Sequence, residues 1–105
     1  MNSKRLELLK GFAEQDPEDP FNWYAIAMEY TQEAPSKALE LFRDIVEKFP
    51  DYLPTYYQYG VIASQLSGID AALQILDEGI RLAMKQNEIK SLNELRNFRN
   101  ELADD

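Results

Sequence analysis

Neither cysteine nor histidine occurs among the 105 residues. Their absence removes disulfides, thiolate chemistry and zinc sites of the usual Cys/His type. It also removes the commonest acid–base group near neutral pH. Glycine is scarce, with four residues, and no Gly-rich phosphate loop can be traced. No apolar run approaches the roughly 18 residues of a membrane-spanning helix. The opening Met1-Asn2-Ser3-Lys4-Arg5-Leu6-Glu7 has a basic start without the apolar stretch of a signal peptide. Positive charge is short as well: 11 Lys and Arg stand against 19 Asp and Glu, a net charge of −8. The balance is −4 over residues 1–34, −1 over 35–68 and −3 over 69–105, so no third is basic. A phosphate backbone or an anionic lipid surface finds no complementary field here. The expectation is a soluble, cytoplasmic protein with no nucleic-acid partner, no membrane contact, no metal and no cofactor.

What the chain has in quantity is helix formers. Leu, Ala, Glu, Lys and Gln abound, 45% of residues are hydrophobic and 29% are charged, a composition that supports one modest helical core. Breaks fall at Asp16-Pro17-Glu18-Asp19-Pro20, at Ala34-Pro35-Ser36, from Phe49-Pro50-Asp51 to Pro54, at Ser67-Gly68 and, more softly, at Gln86-Asn87. Asp19 is placed to cap a helix whose first turn holds Pro20. Between the breaks lie six segments with helical spacing. They run from about Ser3 to Gln15, Pro20 to Thr31, Pro35 to Lys48, Pro54 to Leu66, Ile69 to Lys85 and Glu88 to Leu102. The first carries Leu6, Leu9 and Ala13 on one stripe, with Leu8 and Phe12 beside it. Breaks this short return each helix against its neighbour, so the fold class is all-α, built from antiparallel helix pairs.

The segments repeat. Trp23, Ile26, Ala27 and Tyr30 stand 33 residues before Tyr56, Tyr59, Gly60 and Ala63. Ala38, Phe42 and Ile45 stand 34 before Ala72, Leu76 and Gly79, the extra residue falling at Ser67-Gly68. Small residues at 27, 60, 38 and 72 allow two helix backbones to approach, while Trp23, Tyr56 and Phe42 fill the adjoining space. A glycine inside a helix costs about 1 kcal/mol against alanine, so Gly60 implies a packing requirement.

This order of large, medium, small and medium residues, then a small residue and an aromatic or leucine on the next helix, resembles the tetratricopeptide repeat. The first unit, Trp23-x-x-Ile26-Ala27-x-x-Tyr30, Ala38-x-x-x-Phe42 and Pro50, is close to the full signature. The second has Met84 where the helix-ending proline would stand, which predicts a longer fifth helix. The resemblance implies a right-handed superhelix of helix pairs in a single domain over 1–105. Residues 1–18 would be an N-terminal half-repeat, 19–52 and 53–86 the two repeats, and 87–105 a C-terminal capping helix. Pro17 lies 33 before Pro50, which sets Leu9 against Phe42 and Phe12 against Ile45. In the last helix, either Ile89 and Leu92 or Leu92 and Leu95 could take the core positions.

In that family the first helix of each pair lines a concave groove that commonly holds a peptide or protein segment. The resemblance carries this role to Phe21, Tyr24, Met28 and Gln32 in the first repeat. In the second it nominates Tyr57, Val61, Ser64 and Gln65. Such a surface is aromatic and apolar with a few amides, suited to apolar segments. One branch of the family grips chaperone C-terminal carboxylates with Lys and Asn. Tyr24 and Met28 occupy matching positions here, so that clamp is missing. The expected function is a non-enzymatic interaction scaffold for a peptide or protein partner. The alternative is a homodimer closed through the same apolar face.

Catalysis has little to stand on. The pairs Glu29/Glu33, Glu40/Asp44 and Asp77/Glu78 have the spacing of a solvated helix face. Arg81, Lys85, Lys90, Arg96 and Arg99 are interleaved with Glu78, Glu88, Glu94 and Glu101, a pattern that suggests pairing within helices.

Overall fold

A computed structural model describes residues 2–104; Met1 and Asp105, the outer ends of the expected half-repeat and cap, lie outside them. Among the described residues there are six α-helices and no strand. They are α1 (Ser3–Gln15), α2 (Pro20–Tyr30), α3 (Pro35–Lys48), α4 (Pro54–Leu66), α5 (Ile69–Gln86) and α6 (Ile89–Ala103). The six match the periodic segments, with ends moved by a residue at most.

Local chemistry accounts for the boundaries. Asn2 caps α1 by accepting a hydrogen bond from the Arg5 amide at 3.0 Å. Asp19 does the same for α2 through the Phe21 amide, also at 3.0 Å, so free N–H groups of the first turns are satisfied. Pro20, Pro35 and Pro54 each open a helix, where the missing N–H costs nothing. Gly68 precedes α5 at φ 102°, ψ 170°, a region that only glycine enters readily. Without a proline after it, α5 runs to 18 residues against 14 in α3. It ends when Asn87 turns left-handed at φ 59°. There the Glu88 amide donates to Ala83 O (2.9 Å) and the Asn87 amide to Met84 O (3.1 Å), the two bonds of a Schellman cap.

The chain forms two compact units, Met1–Pro50 and Asp51–Asp105. In the first, α2 packs against α1 on one side and α3 on the other. Its buried residues are Ala13, Ile26, Ala27, Ala38, Phe42 and Ile45. On α1 the stripe of Leu6, Leu9 and Ala13 faces inward, whereas Phe12 is 46% exposed. The expected equivalence of Phe12 with buried Ile45 therefore fails. Ala13 takes the inward place because close approach of α1 to α2 favours a small side chain.

In the second unit, α5 packs against α4 and α6, and α6 also reaches α4. Glycine and bulk are matched reciprocally across α4 and α5. A Cβ on Gly60 would lie 2.5 Å from Leu76 Cδ2, and a Cβ on Gly79 would lie 2.7 Å from Tyr56 Cβ. Each glycine is thus the socket for a large side chain of the opposite helix, which is the packing reason that Gly60 required. The register of α6 is settled as well: Leu92 and Leu95 are buried, at 8% and 2% exposure, and Ile89 is 58% exposed. Leu95 Cδ1 would stand 3.3 Å from a Cβ on Gly79, so the same glycine admits both α4 and α6.

Candidate functional site

The eight residues nominated from the sequence fall on two helix faces, one in each unit. On α2, Phe21 projects with 57% of its surface exposed, and Tyr24 and Met28 are half-buried on the same strip. Gln32 is exposed in the turn that follows. At about 100° per residue, positions 21, 24 and 28 lie within one narrow sector of a helical wheel. Tyr24 is held from behind by Phe42 of α3, with ring centroids 6.1 Å apart and planes tilted by 54°. Such a tilted pair orients the ring without hiding it.

The strip on α4 is more covered. Tyr57 lies against Phe98 of α6, with centroids 5.5 Å apart and a 42° tilt, so α6 takes part of the surface assigned to a ligand. Val61 and Ser64 are half-buried and Gln65 is exposed. The Ser64 hydroxyl donates to Val61 O at 2.7 Å, satisfying its donor within its own helix. Phe98 was missed in the sequence because it belongs to neither repeat.

Charge is arranged differently from the sequence reading. Among the described residues, the basic C-terminal set makes one ion pair, and it joins two helices. Arg99 Nε donates to Asp77 Oδ1 at 2.6 Å, with both side chains more than a third exposed. Exposed pairs of this kind are screened by solvent and contribute little to stability. Arg96 turns to Met84, with Nη2 3.9 Å from the sulfur. Of the carboxylates read as a purely solvated face, Asp77 is thus engaged, and Glu29 pairs with Arg5 at 3.3 Å. Burial first, and then the negative charges of Glu78 and Asp51, push the Tyr56 phenol above its ordinary value near 10. No group of three acidic residues is placed to hold a metal ion among the described residues, and no described helix is long and apolar enough to cross a membrane.

The positions that begin the two repeats also differ. Trp23 was assigned to the core, yet it is only half-buried, its indole N–H donating to Pro17 O at 2.8 Å. On either side of it lie two cavities of about 210 and 300 Å³, both bordered by Trp23 and Leu41. At the preceding position, the Asn22 amide donates to Asp16 O (3.2 Å) and Phe12 O (3.4 Å), tying α2 to the end of α1. Its counterpart Thr55 is fully buried, and its hydroxyl has no hydrogen-bond partner.

Capped helices joined by short turns, with small residues matched to large ones across each pair, define a helical-repeat protein. The comparisons say which kind. The solution structure of a tetratricopeptide repeat domain protein from Salinibacter ruber superposes with a TM-score of 0.77 at 39% identity, over 83% of this chain and 89% of that one. The crystal structure of the tetratricopeptide repeat domain protein from the same organism gives 0.76 at 36% identity, over 81% of this chain and 97% of that one. The chain belongs to the tetratricopeptide repeat family. The crystal structure of MamA protein shares the fold, with a TM-score of 0.66 at 18% identity, over 94% of this chain and 57% of that one. No family sequence profile matches the chain, and no curated protein sequence matches it.

Proposed function

We propose that the chain is a non-enzymatic interaction module that holds a peptide or protein segment on the outward strip of α2, with the strip of α4 a contact surface of its own. Phe21 carries the reading: a phenylalanine more than half exposed, beside Tyr24 and Met28, on a helix that already has its core face filled by Ile26 and Ala27. An aromatic held open in this way offers a large apolar contact at little conformational cost. The α4 strip has Tyr57 and Val61, with Gln65 at its margin, as Gln32 is at that of α2, for backbone hydrogen bonds. The absence of Lys and Asn at Tyr24 and Met28 favours apolar segments over free carboxylate tails.

Selection of a displayed random peptide library on the immobilised chain tests this. Binders should be rich in Leu, Phe or Met, and Phe21→Asp should weaken them at least tenfold while circular dichroism keeps its helical signal. Binders indifferent to Phe21→Asp and Met28→Asp would overturn the assignment. A concentration-dependent dimer abolished by Phe21→Asp, with no peptide selected, would instead make the face a self-association surface.

A further inference from the structure

The side of α2 opposite the strip through Phe21 lies between α1 and α3, with Ile26 buried and Trp23 and Tyr30 half-buried. These three lie roughly half a turn away from the strip on the helical wheel, and they form one wall of the larger cavity. From them and their neighbours we propose a second docking surface within the first unit, which takes an acidic segment of a partner protein carrying two bulky apolar side chains.

The two cavities adjoin at Trp23 and Leu41. Volumes of about 210 and 300 Å³ lie at or below the low end of small-molecule sites and suit one apolar side chain each. The larger runs beside Lys37 and Leu41, the smaller beside Ile45 and Lys48. Their centres are therefore about seven residues, or roughly 10 Å, apart along α3. That spacing matches positions i and i+7 of a partner helix, or i and i+3 of an extended chain. The floor is preorganised, because the Trp23 indole is already fixed by its bond to Pro17 O, and a rigid tryptophan at the centre of a patch is where binding energy concentrates.

Charge selects the kind of segment. Lys10 of α1 and Lys37 of α3 both border the larger cavity, and neither has an ion-pair partner among the described residues. Lys48 borders the smaller one, 3.7 Å from exposed Glu18 and 5.4 Å from the centroid of the Phe49 ring. Two carboxylates share the rim. Asp44 lies 3.6 Å from Arg43 and is partly neutralised by it, and Glu14 remains. In a chain with 19 acidic and 11 basic residues, the three lysines and two carboxylates around this apolar floor sum to +1, a small local reversal of sign. Such a reversal attracts acidic partners and steers their approach.

Trp23 is the chain's one tryptophan, so its fluorescence reports on this floor directly. The probes are three synthetic helical peptides. One carries Phe at i and i+7 with Glu at the flanking exposed positions. The second replaces Glu by Lys, and the third keeps Glu but replaces both Phe by Ala. The first should change Trp23 emission saturably, more weakly as salt is raised, and the other two should bind at least tenfold less well. Lys10→Glu/Lys37→Glu should lower affinity for the first peptide at least tenfold with unchanged helicity, and Phe21→Asp should leave it unaltered. The proposal is overturned if the Lys peptide binds as well, if the double variant binds normally, or if no emission change occurs at millimolar peptide. It is also overturned if Trp23 emission changes with protein concentration alone, which would mean that a second copy occupies the surface.

Discussion

The two repeats meet the same packing requirement with different residues. In the first, the small position of the leading helix is Ala27, and the returning helix presents Phe42 and Ile45, all three buried. In the second, the same places hold Gly60, Leu76 and Gly79. Glycine at 60 and 79 lets each helix of the pair receive a side chain of the other, so Tyr56 sinks to 4% exposure. Where Gly79 stands in the second repeat, the first has Ile45, which occupies space that a glycine would leave to its partner. Trp23 correspondingly stays half-buried, with a cavity on each side. One repeat is closed tightly about glycine, and the other keeps a large aromatic at the surface. The exchange of Gly79 for Ile45, together with α6 packed on the second pair, accompanies a difference in accessibility that no count of hydrophobic residues would show.

That contrast can be broken most severely at Leu76. Leu76→Ala removes a fully buried side chain and should cost about 2–5 kcal/mol in urea unfolding. Gly60→Ala, which is opposed by Leu76 in the native chain, should become neutral or stabilising in that background. Additive effects of the two substitutions would mean that Gly60 is not the socket for Leu76. Gly79→Ala should cost less, about 1–2 kcal/mol. The overpacking against Tyr56 Cβ is partly offset by alanine's better helix propensity. A thermal melt in which Gly79→Ala matched or exceeded the native midpoint would show that the pair can separate freely.

The smallest effects are expected one position before each large aromatic, with opposite signs in the two repeats. Asn22→Ala should lose about 1 kcal/mol, because Asp16 O and Phe12 O lose a donor at the end of α1. Thr55→Val should be neutral or raise stability by up to about 1 kcal/mol, since it deletes a buried hydroxyl without a partner while conserving shape. Chemical denaturation of both variants measures the difference, and a clear loss for Thr55→Val would mean that its hydroxyl is bonded in solution.

The helices were legible in the sequence because their signals are local. Asp19-Pro20, Pro35 and Pro54 start helices through the chemistry of single residues, and the missing proline at Met84 lengthens α5 for an equally local reason. The repeat was legible because close helix approach leaves small residues at fixed spacing. The half-repeat was less so, and Phe12 shows why: spacing from Pro17 fixed a register, but inward orientation depends on which neighbour α1 must fit. The candidate strip on α2 was carried over from the family resemblance. Its counterpart on α4 did not follow as simply, because Phe98 arrives from a helix outside the repeat.

The sequence alone therefore determined the six helices, their pairing and the family, since capping, helix breaking and the small-to-large pattern act over one or two turns. Tertiary structure decided the register of α6, the cover over Tyr57, the ion pair between Asp77 and Arg99 and the openness of Trp23. Each of these depends on the fit between surfaces distant in the chain. Hydrophobicity specifies that such surfaces meet, while shape specifies which atoms are left facing water.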